Sequence, residues 1–113
     1  NYWRLLAIFC AQNNVNIEDV GLPAARQAVI LTEADAASLD VLGWLLLLDS
    51  SYEEAERMLK RALELDPQNA SIHLHLGMLS MQMGDRASAY DHLVRARDLG
   101  NHDAEAILKQ FFP

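Results

Sequence analysis

The sequence predicts an all-α protein: a right-handed α-solenoid of about three helix–turn–helix units, closed by a capping helix at its carboxyl end. Three observations predict this fold, namely an internal repeat, apolar residues at helical spacing, and turn residues between the apolar segments. Residues 36–69 and 70–103 share nine identities, eight of them apolar or glycine. Because the packing positions repeat, the units are expected to stack on one another. The shared residues are Ala36, Leu42, Gly43, Leu45, Ala55, Leu59, Arg61, Ala62 and Leu65, which recur as Ala70, Leu76, Gly77, Leu79, Ala89, Leu93, Arg95, Ala96 and Leu99.

The amino-terminal third of the chain predicts two helices with a loop between them. Residues 1–13 are strongly apolar and favour a helix, whereas residues 13–21 are polar and favour a loop. A second helix is expected over residues 22–34. Pro23 lies in its first turn, where the N–H that proline lacks would have no helical partner.

The third and fourth helices are expected over residues 36–49 and 52–65. Ser51 and Glu54 have the spacing of a capping box, in which a hydroxyl and a carboxylate satisfy each other's free backbone N–H groups. Pro67 ends the fourth helix, because proline disfavours helical geometry in the residue before it.

Three more helices are expected, separated by turns that contain glycine. Gly84 supplies a turn, Asp85 the next N-cap, and Gly100 a left-handed stop. Asp103 is expected to cap the last helix, whose apolar stripe includes Ile107 and Leu108. A solenoid exposes its last apolar face unless a cap covers it, so we interpret this helix as that cap. The three helices are expected over residues 70–83, 86–99 and 103–112.

The repeat resembles the tetratricopeptide repeat family, whose 34-residue units are helix–turn–helix hairpins. In the unit over residues 70–103, three residues depart from the family pattern: His73, Ser80 and Asn101. The resemblance implies a single domain over residues 1–113. Its expected parts are a degenerate repeat over 1–35, repeats over 36–69 and 70–103, and a capping helix over 104–113. Residues 36–69 carry the family's packing positions as Leu39, Leu42, Gly43, Leu46, Ala55, Leu59, Ala62 and Pro67.

The resemblance also implies a concave groove, lined by the first helix of each unit, that binds a peptide or a helix. The residues that map to this groove are mostly apolar, and Trp44 is the best candidate anchor. The run from Trp44 to Leu48 is apolar on every side, so something must cover its groove face. Val41, Ser71 and His75 occupy the positions where some relatives hold acidic tails through cations, which disfavours that specificity. The candidate groove residues are Leu5, Ile8, Asp40, Val41, Trp44, Leu48, Leu74, His75, Met78 and Met81.

Composition excludes several classes of partner. The net charge of −7 disfavours nucleic acid and anionic membranes, both of which require a basic face. The longest apolar run, residues 41–48, is much shorter than the roughly 20 residues that span a bilayer. With no signal-peptide pattern and with Cys10 as the single cysteine, a cytoplasmic location is expected.

No motif for catalysis, a cofactor or a metal is present. His73 and His75 point away from each other on their expected helix and cannot chelate one metal. We expect the four histidines to be exposed or to make single hydrogen bonds, and Cys10 to be buried and unreactive.

Three functions therefore remain open, of which a hidden enzyme or nucleic-acid binder is the least favoured, and the other two are not enzymatic. The first is a protein–protein interaction scaffold that binds an apolar peptide or amphipathic helix in its groove. The second is a structural module that associates with a second copy of the chain or belongs to a longer repeat array.

Overall fold

All 113 residues are described by a computed structural model, which contains helices and no strands. The expected helices all form, with bounds that differ from the prediction by a few residues at most. They are α1 (Tyr2–Asn13), α2 (Leu22–Leu31), α3 (Ala36–Leu48), α4 (Tyr52–Leu65), α5 (Ala70–Gln82), α6 (Arg86–Asp98) and α7 (His102–Phe111). The molecule is elongated, with principal extents of 39 × 26 × 24 Å, as expected for stacked hairpins.

The close approach of paired helices depends on a glycine facing a leucine. A Cβ atom at Gly43 would lie only 2.5 Å from Leu59 Cγ, and one at Gly77 would lie 2.8 Å from Leu93 Cγ. Two glycines therefore let α3 meet α4 and α5 meet α6, as the repeat predicted. The alanines that face these contacts, Ala55, Ala62, Ala89 and Ala96, are all 0% exposed.

The core runs along the solenoid. One apolar cluster extends from Ala7 in α1 to Leu79 in α5. A second, smaller cluster joins α5 and α6 to α7 through Leu74, Leu93 and Leu108. The last helix thus covers the end of the array, as a cap should.

Three local expectations are wrong. The expected loop at 13–21 contains a π-helical turn (Ile17–Gly21), reached through left-handed φ angles of 50° at Asn14 and 49° at Asn16. Helix α2 ends at Leu31 rather than at residue 34, because Glu33 and Ala34 also have positive φ.

The third wrong expectation concerns the caps. Ser51 makes no capping hydrogen bond, and its expected partner Glu54 binds Arg26 at 2.9 Å instead. Asn101, not Asp103, caps α7 by accepting a hydrogen bond from the Ala104 N–H at 2.9 Å. Asp103 lies inside the first turn of α7, where its charge suits the helix dipole.

Candidate functional site

A cleft opens between three helices on one side of the solenoid, and we name it the α3–α5–α7 cleft. Its volume is about 470 Å³. Five of its nine lining residues are hydrophobic, while hydroxyl, imidazole, amide and carboxylate groups supply its polar part. The lining consists of Trp44 from α3, Ser71, Leu74, His75 and Met78 from α5, and Asn101, Asp103, Ala106 and Ile107 from the α7 region.

Trp44 forms the α3 wall because helical periodicity turns its neighbours inward. Leu45 and Leu46 are 0% and 1% exposed, as expected of core residues, and the indole of Trp44 remains half-buried. The indole stacks on the imidazole of His75, with the ring centroids 4.8 Å apart and the planes inclined by 19°. This stack holds an aromatic surface in a fixed orientation at the cleft.

A buried carboxylate lies behind that stack. Asp40 is 5% exposed, and its two oxygens bind different side chains of α5. Oδ1 lies 2.6 Å from His75 Nδ1, and Oδ2 accepts a hydrogen bond from Ser71 Oγ at 2.6 Å. An ionised carboxylate only accepts, so His75 Nδ1–H and the Ser71 hydroxyl are both donors here. Both oxygens of the buried Asp40 carboxylate are thus hydrogen-bonded, and Asp40 fixes the orientation of two cleft residues.

Four of the predicted groove residues come together in this cleft: Trp44, Leu74, His75 and Met78. Asp40 lies behind it and does not line it. Val41, which was also predicted to line the groove, is only 7% exposed and belongs to the core instead of the cleft lining.

The other predicted groove residues lie elsewhere. Leu48 lines a neighbouring pocket of about 260 Å³, which shares Met78 with the cleft. Met81 lines a third pocket together with Arg86 and Phe112. Leu5 is 66% exposed on α1, and Ile8 packs partly against the core, so neither lines any of these three pockets.

Sequence reasoning missed the contribution of α7, which it treated only as a cap. The structure makes α7 the third wall of the cleft through Ala106 and Ile107. The caps give no signal for this wall. Helices α3, α5 and α7 each follow an Asp or Asn whose side chain accepts an N–H three residues on, but Asp85 caps the second helix α6 in the same way.

Charge is distributed unevenly between the helices. Helices α3 and α5 contain no lysine or arginine, and the cleft lining contains none either. Seven of the nine cationic residues lie on α2, α4 and α6, the second helices of the hairpins. Asp103 is the one carboxylate in the lining. Because no lysine or arginine accompanies it, the cleft lacks a lysine or arginine side chain that could hold an anion.

The expectation that every histidine is exposed or singly bonded is wrong for one of the four. His75 is buried but makes a single hydrogen bond, to Asp40, whereas His73 is buried with two partners. His73 Nε2 lies 2.9 Å from the Pro67 carbonyl oxygen, and its Nδ1 lies 3.2 Å from His92 Nδ1. Burial and the neighbouring His73 lower the pKa of His92. Cys10 is buried, as expected.

No group of three or more His, Cys, Asp or Glu side chains is placed to hold a metal ion. None of the seven helices has the length and apolar character that crossing a membrane would require.

Comparison with known proteins places the chain beside a repeat protein. Residues 46–110 match the family model described as tetratricopeptide repeat. A solved structure, MamA residues 41 to the end from Desulfovibrio magneticus RS-1, is 28% identical and superposes with a TM-score of 0.62. The match covers 70% of this chain and 45% of the MamA chain, so the present chain corresponds to less than half of that protein. No curated protein sequence matches.

Proposed function

Because this chain belongs to the tetratricopeptide repeat family, we propose that it is a non-catalytic scaffold that binds a partner polypeptide in the α3–α5–α7 cleft. The observation that supports this site is the half-buried Trp44, held in place by its stack on His75 at the mouth of an apolar cleft. Aromatic anchors in preformed pockets dominate protein interfaces. The bound segment would be an apolar peptide or the apolar face of an amphipathic helix. A cytoplasmic location, as expected from the sequence, is part of this proposal.

The repeat boundaries expected from the sequence form part of this proposal. Asp35 and Asn69 cap α3 and α5, which supports units that begin at residues 36 and 70. The hairpin α1–α2 would be a degenerate unit over 1–35. Residues 104–113 would close the array and also complete the cleft.

The test is partner capture with matched variants. Immobilised wild-type protein is compared with Trp44→Ala, Met78→Ala and the control Phe9→Ala, which removes an aromatic ring that is 58% exposed on α1. Truncation of an interface anchor costs about 2 kcal/mol or more, or about 30-fold in affinity. We expect both cleft variants to lose captured partner while their helical circular dichroism is unchanged. Full capture by both would refute the cleft assignment.

A second function is favoured by a different observation, the uncovered amino-terminal end of the solenoid. The next helix along the chain covers each internal hairpin, but nothing covers the outer side of α1 and α2. Apolar faces of this kind are typical of association with a second copy of the chain or with further repeats. The exposed side chains there are Tyr2, Leu5, Phe9, Ile30 and Leu31, each at least 57% exposed.

Sedimentation over a concentration series separates the two functions. Self-association through the amino-terminal end predicts an oligomer that dissociates in Phe9→Asp and persists in Trp44→Asp. A monomer at all concentrations would remove the self-association alternative and leave the scaffold proposal standing.

A further inference from the structure

The Asp40 pair determines what the α3–α5–α7 cleft offers to a ligand. The Ser71 hydroxyl and His75 Nδ1 both donate their hydrogens to the buried carboxylate. With His75 as the neutral imidazole, what remains on each group is a lone pair, on Ser71 Oγ and on His75 Nε2. His75 Nε2 makes no hydrogen bond within the chain and is not a buried orphan, so it is available to a ligand.

The remaining polar groups of the lining are compatible with a site that presents hydrogen-bond acceptors. Asp103 adds an exposed carboxylate from the first turn of α7, and no lysine or arginine accompanies it. The Asn101 amide and the Trp44 indole are neutral donors, which do not repel a cation. The cleft is therefore an acceptor site with apolar walls, on a chain whose net charge is −7.

We propose that this cleft binds an arginine side chain of the partner polypeptide, an inference that rests on the scaffold function proposed above. The aliphatic stem would lie among Trp44, Met78 and Ile107. The guanidinium would donate to Ser71 Oγ, His75 Nε2 and the Asp103 carboxylate. Guanidinium suits these acceptors because it has five donors in a planar fork, stacks on aromatic rings and is weakly hydrated.

The assignment names a partner class different from an acidic tail. A bound carboxylate would face three acceptors, Asp103 among them, without a cation to neutralise it, which is unfavourable. A fully apolar segment would leave His75 Nε2 without a partner after the cleft is desolvated. A segment in which arginine lies beside apolar residues satisfies both the walls and the acceptors.

The test uses two probes of equal length, N-acetyl-arginine amide and N-acetyl-citrulline amide, which has the same shape without the charge. Binding is followed through the indole N–H resonances of the protein. Trp44 lies in the cleft and Trp3 on α1 does not, so the second indole is an internal reference. We expect the arginine probe to shift Trp44 alone and saturably, and to bind at least about ten-fold more tightly than citrulline.

Two variants check the acceptors. Asp103→Asn should weaken arginine binding roughly two- to five-fold, while Glu64→Gln, at an exposed carboxylate on α4, should not. Asp40→Asn should weaken it about ten-fold without changing any lining residue. An asparagine offers one donor and one acceptor, so in either orientation it converts Ser71 or His75 into a donor facing the cleft.

The outcomes separate this inference from the scaffold function. Equal binding of arginine and citrulline, or of an N-acetyl-lysine amide probe, would overturn the arginine assignment, as would equal effects of Asp103→Asn and Glu64→Gln. If Asp40→Asn fails to fold, the comparison of Asp103→Asn with Glu64→Gln, both at exposed carboxylates, still tests the arginine assignment. Loss of capture in Trp44→Ala together with equal probe binding would leave the scaffold standing with a different partner class.

Discussion

At Gly43 the backbone of α3 comes so close to Leu59 that no side chain fits between them. A Cβ there would lie 2.5 Å from Leu59 Cγ and 2.7 Å from Cδ2, both of which belong to a fully buried side chain. The contact opposes intrinsic preference, because alanine favours a helix interior over glycine by about 1 kcal/mol. At Gly43 the packing cost of an added methyl group outweighs this gain in helix propensity, because overpacking a core costs about 1–3 kcal/mol.

Net of this helix-propensity gain, we expect Gly43→Ala to lower the free energy of unfolding by up to about 2 kcal/mol in urea denaturation. In a Leu59→Ala background the same change should cost much less, because the atoms that it strikes are gone. Additive effects of the two substitutions would show that the glycine is not required by Leu59.

His92 makes the stability of the protein depend on pH. Its pKa is lowered first by burial and then by His73, so the native state favours neutral imidazole. The unfolded chain takes up this proton near the ordinary value of about 6.5, before the folded protein does. The contribution of His92 is therefore complete above about pH 6.5 and is lost as pH falls through the folded-state pKa.

The expected result is a free energy of unfolding that falls more steeply for the wild type than for His92→Gln between about pH 7 and about pH 5.5. The comparison removes His92 together with its contact to His73, while His102 and the carboxylates titrate in both proteins. Parallel curves would mean that neither burial nor the contact with His73 lowers the pKa of His92.

Among the helices, caps decide where each element begins, and they do not all follow the local sequence rule. Asn101 caps α7 and Asp85 caps α6 through side-chain oxygens, whereas Ser51 caps nothing. Loss of a working N-cap costs about 1 kcal/mol. Because α7 contributes only Ala104 and Leu108 as buried residues, it is the helix most dependent on its cap.

We predict that Asn101→Ala lowers stability by about 1 kcal/mol and frays α7, while Ser51→Ala changes stability by only a few tenths. Thermal unfolding and backbone hydrogen exchange of residues 102–111 measure the two effects. A larger loss in Ser51→Ala than in Asn101→Ala would contradict the observed capping.

The sequence predicted all seven α-helices, because apolar periodicity and turn residues act over a few residues and are visible locally. It failed at Ser51 because Glu54 has a better partner in Arg26, which lies 28 positions earlier. It failed at 13–21 because two asparagines adopt left-handed geometry and allow a π-helical turn. Capping and turn rules consider only residues close in sequence, so they cannot include a tertiary partner such as Arg26.

For the whole molecule, the stacking of hairpins creates a surface that no single hairpin has. The cleft needs α3, α5 and α7 together, and the residue that sets its polarity, Asp40, binds Ser71 and His75 more than 30 positions away. Mapping of family positions found Trp44, Leu74, His75 and Met78 but placed Asp40 in the lining. Its burial and the α7 wall follow from superhelical packing, which one repeat's pattern does not describe.

The distribution of charge is also a property of the whole molecule. Most cations, seven of nine, lie on the second helices, and none lies on α3, on α5 or in the cleft lining, so the helices differ in character. A ligand approaching the cleft meets apolar walls and acceptors. The uncovered end at α1 and α2 offers mainly apolar side chains.

The most direct measurement is a titration of the labelled protein with its captured partner, following the two indole N–H resonances in one spectrum. Binding in the α3–α5–α7 cleft predicts that the Trp44 resonance shifts and saturates while the Trp3 resonance stays in place. A shift of Trp3 with Trp44 unchanged would show that the partner occupies the amino-terminal end, and it would contradict the assignment of the cleft as the binding site.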